Sequence, residues 1–165
     1  MLSINEIKRR LPKEFIEELY EVYTPITVDK ILTGMTDDRY TTLRVNTLKY
    51  DIYSLMNVFK EKNIKFERVP WFKDALIVKN AREKDIQKLD IYEKGYIYFQ
   101  SLSSMVPPLV LNPRPGESVL DMTAAPGSKT TELAMLMENK GEILANELDK
   151  IRCERLKFNV QTQGA

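Results

Sequence analysis

The most informative run of the chain is Ser118-Val119-Leu120-Asp121-Met122-Thr123-Ala124-Ala125-Pro126-Gly127-Ser128-Lys129-Thr130. Its first five residues are typical of a β-strand, and the small residues with the Pro-Gly pair predict a turn. Apolar residues at helical spacing then predict a helix that continues to Gly141. Small side chains let a ligand approach the turn closely, and the first amides of a helix attract a carboxylate or phosphate. The run therefore predicts a strand, a ligand-binding turn and a helix.

A second strand is predicted at Glu142-Ile143-Leu144-Ala145-Asn146, and an acidic residue, Glu147, follows it. Glu147 lies about 20 residues beyond Gly127, the interval at which a nucleoside-binding βαβ unit places a carboxylate for the ribose hydroxyls. The first turn would hold the charged end of the ligand, and the second strand would hold its sugar. The pattern fits adenosyl cofactors in general and predicts the first part of a Rossmann-like α/β domain.

Two other ligand-binding loops do not fit the spacing. A phosphate-binding P-loop needs G-x-x-x-x-G-K-[ST], but Ser128 separates Gly127 from Lys129, and Met122 occupies the first glycine position. The dinucleotide fingerprint G-x-G-x-x-G is also missing. A strand, turn and helix that bind no ligand remain an alternative, because an Ala-Ala-Pro-Gly turn does not by itself indicate one.

The chain begins with a helical pattern. Apolar residues at three-to-four spacing predict a helix over residues 3–23, interrupted near Pro12, and a shorter helix over 27–34. Basic residues of the first helix could contact phosphate, although a solvated helix face is their more ordinary interpretation. These residues are Lys8, Arg9 and Arg10.

A small mixed module is predicted next. Residues 41–48 are typical of a strand, and 51–62 of a helix with Asp51 as its N-cap. Two more strands are predicted over 65–69 and 75–78. The order β-α-β-β predicts a small α+β module of the RNA-recognition or ferredoxin-like type.

The pattern changes in the middle of the chain. A polar connector over 80–90 leads to a predicted strand over 95–100. A short helix over 101–105 is expected to end before Pro107-Pro108, because proline breaks the helical hydrogen-bond ladder, and 112–116 is expected to be a loop. We therefore predict two domains, an α+β RNA-binding module over 1–94 and the start of a Rossmann-like domain over 95–165.

Composition excludes several kinds of chemistry. The 165 residues are 43% hydrophobic and 30% charged, and the net charge is +1, so any affinity for nucleic acid requires a local basic surface. One cysteine excludes an internal disulfide and a cysteine zinc cluster, and the lack of histidine excludes a Ser-His-Asp triad and His-rich metal centres. No metal is expected. Without a secretory leader or a membrane-spanning run, we expect the protein to be cytoplasmic, with no membrane partner.

The run from Asp121 to Thr131 resembles the S-adenosylmethionine motif of the Nop/Sun family of RNA cytosine-5 methyltransferases. Within that family, it most resembles the bacterial small-subunit ribosomal RNA methyltransferase F group. The resemblance spans nearly the whole chain. Its downstream part comprises Ile143-Leu144-Ala145-Asn146-Glu147, Arg152, Leu156, Asn159 and Gly164. Its upstream part comprises Arg44-Val45-Asn46-Thr47-Leu48-Lys49, Pro70-Trp71, Tyr98-Phe99-Gln100 and Ser103-Ser104-Met105.

The resemblance implies S-adenosylmethionine as cofactor and an RNA, a small-subunit ribosomal RNA or a tRNA, as partner. It implies that the turn binds the methionine end of the cofactor and that Glu147 binds the ribose. Arg152 resembles the family's helix arginine, and Thr123 stands where many members have a cysteine that is not the nucleophile. The residues implied to bind cofactor are Thr123, Ala124, Ala125, Pro126, Gly127, Ser128, Lys129, Glu147 and Arg152.

The residues that methylate cytosine are not found in this sequence. Cytosine C5 is a poor nucleophile, so its methyltransferases first add a cysteine thiolate to C6. In the family this cysteine and its partner lie in Asp-Ala-Pro-Cys and Thr-Cys motifs, and neither occurs here. Cys153 is expected to be incidental, so no catalytic residue is assigned. Two parallel strands would leave an apolar face uncovered, so we expect a truncated reading frame or half of a split gene, with a C-terminal complementing fragment as a partner.

Three functions fit these patterns. The leading one is an RNA cytosine-5 methyltransferase whose N-terminal module holds RNA. The second is a non-catalytic RNA-binding module, with Arg44 and Lys49 as candidate RNA contacts; Trp71 is expected in the core, with base stacking as its alternative. The third, an adenosyl-cofactor enzyme acting on a protein or small molecule, fits the βαβ unit but does not explain the upstream matches. Further basic candidates are Lys60, Lys62, Lys65 and Arg68.

Overall fold

The computed structural model describes residues 3–36 and 39–165. The chain forms two compact units, one that ends at Arg39 and one over Tyr40–Ala165. Each unit has an apolar core of its own. Among the described residues, no helix combines the length and the apolar composition needed to cross a membrane.

The first unit contains the helices α1 (Ile4–Arg10), α2 (Lys13–Val22) and α3 (Pro25–Gly34). Ser3 caps α1 because its hydroxyl accepts from the Glu6 amide while its own amide donates to the Glu6 carboxylate. Proline at position 12 separates α1 from α2, since it cannot continue the hydrogen-bond ladder. The helical predictions for this segment are confirmed. The core residues of the unit are Ile7, Val28 and Leu32.

Of the three basic residues in α1, Lys8 has contacts within the unit. Its Nζ donates to the Tyr20 hydroxyl at 2.6 Å and lies 3.6 Å from Asp29 Oδ1. The hydrogen bond to Tyr20 raises the pKa of Lys8. Contact of Lys8, Arg9 or Arg10 with phosphate stays a prediction.

The second unit begins with a four-stranded antiparallel sheet in the order β2-β3-β1-β4. The strands are β1 (Thr41–Val45), β2 (Phe66–Val69), β3 (Phe72–Val78) and β4 (Ile97–Phe99). Helix α4 (Ile52–Glu61) connects β1 to β2. Two short helices, α5 (Glu83–Ile86) and α6 (Asp90–Glu93), connect β3 to β4. This β-α-β-β-α-β order with an antiparallel sheet is ferredoxin-like, as expected.

Helix α4 covers one face of this sheet. Asp51 is its N-cap, since the carboxylate accepts from the amides of Tyr53 and Ser54 at 2.9 Å, as predicted. Leu55 and Phe59 of α4 are fully buried against apolar residues of the strands. The strand residues of this core are Leu43, Val45, Leu76, Val78 and Ile97.

The middle of the chain differs from the sequence-based expectation in two ways. No helix was predicted in the polar connector over 80–90 or just after it, but α5 and α6 form there because Ile86 and Ile91 are buried in the sheet's core. In addition, β4 pairs with β1, with Tyr98 opposite Arg44. Residues 97–99 therefore extend the module's sheet, and neither this pairing nor the division at Arg39 coincides with the expected domain boundary between 94 and 95. That boundary stays a prediction.

Helix α7 (Leu102–Leu111) also departs from expectation, because it continues through Pro107 and Pro108 instead of ending before them. Each proline removes one backbone donor, so the loss must be offset elsewhere. Met105 is fully buried and packs with Leu102 and Leu109 against residues of β3 and of the following helix. Tertiary packing therefore outweighs the local preference.

The remaining elements form the start of a parallel sheet. Strand β5 (Ser118–Asp121) leads through a turn to α8 (Ser128–Leu136), then to β6 (Glu142–Ala145) and α9 (Lys150–Gln163). β5 and β6 pair in parallel, with Asp121 opposite Ala145. The predicted strand, turn, helix and second strand are confirmed, and α9 follows them. Leu120 and Leu144 lie exposed on this two-stranded sheet, at 57% and 65%.

Asn46 joins the two parts of the second unit. This side chain, just after β1, is 1% exposed, and its Nδ2 donates to the carbonyls of Gly95 and Gln163 at 2.9 and 2.7 Å. Its Oδ1 accepts from the Leu48 amide. One buried amide thereby fixes the end of α9 against the end of β1.

The substitution Asn46→Ala is predicted to lower the free energy of unfolding by about 2 kcal/mol, because two buried carbonyls lose their donor. Urea unfolding followed by the fluorescence of Trp71, the sole tryptophan, measures it. Asn57→Ala, at an exposed position of α4, is the matched control and is expected to change stability by less than about 0.5 kcal/mol. Equal effects of the two substitutions would contradict this role of Asn46.

Candidate cofactor site

The turn between β5 and α8 is closely packed. Ala124, Ala125 and Gly127 are buried, and the Gly127 amide donates to the Ala124 carbonyl at 2.7 Å. Gly127 has a φ of 105°, and a Cβ there would lie 3.1 Å from Leu156 Cδ1. The positive φ therefore requires glycine at this position, and the tight contact with Leu156 adds to the cost of any side chain.

Helix α8 begins at this turn with its first amides free of side-chain caps. Gly127 is the N-cap, and the first intrahelical bond runs from the Thr131 amide to the Gly127 carbonyl at 2.9 Å. The side chains around it are held by polar contacts: Lys129 Nζ donates to Ser104 Oγ at 3.0 Å, and Thr130 Oγ1 donates to Asp121 Oδ2 at 2.7 Å. A helix start of this kind accepts an anionic group.

An open cavity of about 810 Å³ lies at the carboxyl ends of β5 and β6. Ligands of open α/β sheets bind at this edge. The cavity is lined by residues 122–123 and 146–152, so it brings together Thr123, Glu147 and Arg152. The predicted residues 124–129 form the adjoining turn and helix start. The sequence spacing and the tertiary structure therefore agree on one cleft.

Glu147 has an unsatisfied acceptor in this cleft. Its side chain is only 5% exposed, and Oε1 accepts from the Asp149 amide at 3.1 Å. Oε2 is buried without a hydrogen-bond partner; Arg152 Nη2 lies 3.4 Å away but is not aligned for a hydrogen bond. Arg152 instead donates to the Ala125 carbonyl at 2.9 Å. Arg152 thus balances the charge of Glu147 as an ion pair but leaves this buried oxygen without a hydrogen bond, so the site fits a ligand that brings hydroxyl donors.

Arg44 does not lie on an RNA-accessible surface. Its exposure is 0%, which corrects its interpretation as an RNA contact. Nε donates to Gln100 Oε1 at 2.9 Å, and Nη2 donates to Thr131 Oγ1 at 2.7 Å and the Ser128 carbonyl at 3.3 Å. The guanidinium also lies 5.1 Å from the centroid of the Tyr98 ring. Burial lowers the pKa of Arg44 to about 10, so it remains charged at neutral pH.

Glu132 completes this buried polar network. It is 0% exposed, and its Oε2 accepts from Gln100 Nε2 at 2.6 Å, while Oε1 has no hydrogen-bond partner. Burial raises the pKa of Glu132 to about 7, and the nearby Arg44 and the hydrogen bond from Gln100 only partly oppose that shift. Gln100 therefore lies between a buried cation and a carboxyl group that titrates near neutrality.

Several residues of this network were not predicted from the sequence to lie near the turn. Gln100, Glu132 and Thr131 lie on three different segments, and no spacing relates them. The one signal was that Arg44 lies between the apolar residues Leu43 and Val45 of β1, and that Gln100 directly follows the apolar and aromatic strand β4. Asn159 was matched only by resemblance, yet its Nδ2 donates to the Pro126 carbonyl at 2.7 Å.

Three further predicted residues lie outside the cleft. Lys49 is exposed, and its Nζ donates to the Thr162 carbonyl near the end of α9 at 2.6 Å; its contact with RNA stays a prediction. Trp71 was expected in the core, but it is 50% exposed at the turn between β2 and β3, where the neighbouring Phe72 is buried instead. Cys153 lies on α9, partly buried and free.

Two family models match consecutive parts of the chain. The family model for the N-terminal domain of 16S rRNA methyltransferase RsmF matches residues 11–102, and the model for 16S rRNA methyltransferase RsmB/F matches residues 108–165. The first match includes β4.

Individual proteins similar to this chain are also methyltransferases or their homologues. The tRNA (cytosine(49)-C(5))-methyltransferase of Pyrococcus abyssi is 40% identical over 122 residues, which cover 74% of this chain and 39% of that protein. The ribosomal RNA small subunit methyltransferase F of Shewanella loihica is 37% identical over 145 residues, covering 85% of this chain and 30% of that protein. A crystal structure of a methyltransferase homologue from Pyrococcus horikoshii superposes with a TM-score of 0.76 at 34% identity, covering 93% of this chain and 54% of that one.

A ferredoxin-like sheet followed by the first βαβ unit of a Rossmann-like sheet, with a nucleoside-type cleft at its edge, is the N-terminal portion of a methyltransferase fold. The chain belongs to the Nop/Sun family of RNA cytosine-5 methyltransferases and matches its RsmF group. It spans 39% and 30% of the lengths of the two relatives compared above.

The pKa of Glu132 predicts a pH-dependent stability. Since the pKa is about 7 in the folded chain and 4.5 is the ordinary value, the folded state binds more protons between these values. The free energy of unfolding should therefore fall as pH rises from 4.5 to 7, by on the order of 2 kcal/mol for this group. Glu132→Gln should gain stability relative to wild type over this interval, measured by urea unfolding at a series of pH values.

Glu61→Gln, at an exposed position of α4, is the control for this experiment and should track wild type at every pH. A constant difference between Glu132→Gln and wild type from pH 5 to pH 8 would show that Glu132 does not titrate in this range.

Proposed function

We propose that this chain binds S-adenosylmethionine and serves in the methylation of cytosine C5 in RNA. The main support for this proposal is Glu147 Oε2, which is buried without a hydrogen-bond partner in the cleft beside the turn that begins α8. A ribose supplies two vicinal hydroxyl donors, and a carboxylate after the second strand of a βαβ unit accepts from them. Membership of a family that uses this cofactor supports the proposal.

Each residue of the cleft has a separate role in this proposal. Glu147 would accept from the ribose hydroxyls, and the exposed Leu148 and Ile151 would flank the adenine. The turn residues Thr123 to Lys129 would face the methionine carboxylate with the free amides of α8. Arg152 would keep the turn in place through the Ala125 carbonyl. When bound, the cofactor supplies an activated methyl group on its sulfonium.

No catalytic residue is assigned to the chain. Attack on cytosine C6 requires a thiolate near the methyl donor. The only cysteine, Cys153, lies on α9 with its amide bonded to Asp149, and it is absent from the residues that line the cleft. The Asp-Ala-Pro-Cys and Thr-Cys motifs that hold the nucleophile and its partner in the family do not occur in this sequence. The complementing C-terminal fragment and the cytoplasmic location remain expectations.

A small-subunit ribosomal RNA or a tRNA is the proposed partner, since both kinds of substrate occur in the names of the relatives. Trp71 also supports RNA binding by the module, because a half-exposed indole between Arg68 and Lys73 can stack on an unpaired base. The alternative, an RNA-binding module without cofactor, rests on Trp71 and on the basic candidates of the module other than Arg44.

Glu147→Gln is predicted to weaken S-adenosylmethionine binding about tenfold or more, because a charged acceptor for two hydroxyls is replaced by a neutral one. Isothermal titration calorimetry on the 165-residue chain measures it. Glu142→Gln, exposed at the opposite end of the same strand, is the control and should bind as wild type does. Equal affinities of the two variants would remove Glu147 from the site, and wild type without measurable binding would overturn the proposed cofactor.

Trp71→Ala is predicted to weaken binding of single-stranded RNA about tenfold, since stacking contributes about 1–3 kcal/mol per base. Filter binding at several salt concentrations measures it. The salt dependence should be unchanged, because no charge is removed, whereas Lys73→Ala should lower the slope by about one counterion. Tyr53→Ala, at an aromatic residue exposed on α4, is the control. Loss of binding in Tyr53→Ala but not in Trp71→Ala would place the RNA elsewhere.

A further inference from the structure

The turn that begins α8 is held from the side of the ferredoxin-like sheet. Arg44, in the central strand β1, donates through Nη2 to Thr131 Oγ1 at 2.7 Å. The same hydroxyl donates to the Gly127 carbonyl at 2.7 Å. Arg44 also donates to the Ser128 carbonyl at 3.3 Å. A single guanidinium therefore holds two successive carbonyl groups, that of Ser128 directly and that of Gly127 through the Thr131 hydroxyl.

A second contact holds the other end of the turn. Asn159 of α9 donates to the Pro126 carbonyl at 2.7 Å, and the same Nδ2 lies 3.4 Å from the Tyr98 hydroxyl. The Tyr98 ring in turn packs against the Arg44 guanidinium at 5.1 Å. Strand β1 thus contacts Ser128 directly, whereas β4 reaches Pro126 only through Asn159.

Arg44 is itself fixed in one orientation. It is completely buried, and Gln100 accepts its Nε at 2.9 Å while donating to Glu132 at 2.6 Å. Glu132 lies on α8, one residue after Thr131. The network therefore returns to the helix that it positions, and neither the strand nor the helix can shift without leaving a buried polar group unpaired.

We propose that Arg44 is a positioning residue for the cofactor turn, so that the N-terminal module helps to form the cofactor site as well as to bind RNA. Its role is to keep the Gly127 and Ser128 carbonyls turned away from the ligand, which directs the free amides of α8 towards the methionine carboxylate. The proposal rests on the proposed function for the identity of the ligand. The positioning of the turn itself is a property of the chain without ligand.

The fork of the guanidinium is required for this role. Arginine offers five donors in a plane, and here they contact Gln100, Thr131 and the Ser128 carbonyl at once. The single ammonium of lysine cannot reach all three acceptors. We therefore expect Arg44→Lys to behave like Arg44→Met, although it keeps the charge.

Hydrogen exchange without cofactor tests the positioning directly. The amides of Gly127 and Thr131 are both bonded, to the Ala124 and Gly127 carbonyls. In Arg44→Met and Arg44→Lys, these two amides should exchange about tenfold faster, as measured by NMR, while the Lys79 amide, bonded to Lys65 beside β2 and β3, should not change. Arg114→Met, exposed in the loop before β5, is the control and should match wild type.

Thr131→Val covers the case in which the Arg44 variants unfold. It removes only the hydroxyl between Arg44 and the Gly127 carbonyl and keeps the shape of the side chain. The same two amides should again exchange about tenfold faster than in wild type. Unchanged exchange at Gly127 and Thr131 in this variant, or equal acceleration at Lys79, would overturn the positioning role.

Calorimetry with S-adenosylmethionine then separates this proposal from the proposed function. If wild type binds, Arg44→Met and Thr131→Val should bind about tenfold more weakly, and Arg114→Met should bind as wild type does. Wild-type affinity in both variants would overturn the link to the cofactor. If wild type does not bind, the proposed cofactor is wrong, and so is the contribution of Arg44 to its binding. The exchange rates still decide whether Arg44 positions the turn.

Discussion

The buried guanidinium of Arg44 is the constraint on which the second unit depends. A charge that is fully removed from water must have its donors satisfied by groups in fixed positions, because the cost of leaving it unpaired exceeds that of most single contacts. The partners of Arg44 come from the residue after β4 and from the first turn of α8. The antiparallel sheet and the helix of the βαβ unit must therefore pack together for either to satisfy Arg44.

This dependence explains how the cleft is organised. Within the cofactor turn, Gly127 packs tightly against Leu156. Arg152 and Asn159 of α9 donate to carbonyls of the turn, and the network of Arg44 contacts the start of α8. Glu132 lies within the same network, and burial keeps its carboxyl group near its titration point at neutral pH. Polar networks of this kind rigidify a site when they are fully satisfied. In this network the unpaired oxygen of Glu132 is the exception.

The boundary between the two family-model matches does not separate two independently packed parts of the structure. Two family models divide the chain between residues 102 and 108, which leaves β4 with the N-terminal part. The hydrogen bonds cross that division, since Arg44 contacts Ser128 and Thr131, and Asn46 contacts Gln163. The module that is matched as a separate domain is therefore continuous in its packing with the start of the methyltransferase fold.

Much of the local structure followed from the sequence. Helical spacing predicted the helices over 3–23 and 27–34, and α4 was predicted with Asp51 as its N-cap. The strand, turn and helix around Gly127 were predicted with Glu147 at the proper interval. The expectation for α7 was wrong because Pro107 and Pro108 are tolerated where Met105 packs into a core. The prediction that Trp71 lies in the core was wrong, because either residue of the Trp71-Phe72 pair could have been the buried one. Only the register of β2 with β3 selects Phe72.

The sequence by itself determined the β-α-β-β order of the module, the βαβ unit and the interval between Gly127 and Glu147, because these depend on periodicity and short spacing. Only the tertiary structure decided what Arg44 does. In a strand that alternates, a charged residue is expected to face water, but both faces of β1 are covered, by α4 on one side and by α8 on the other. Whether the second face of a strand is covered depends on segments about 80 residues away, and no local pattern in the sequence encodes that contact.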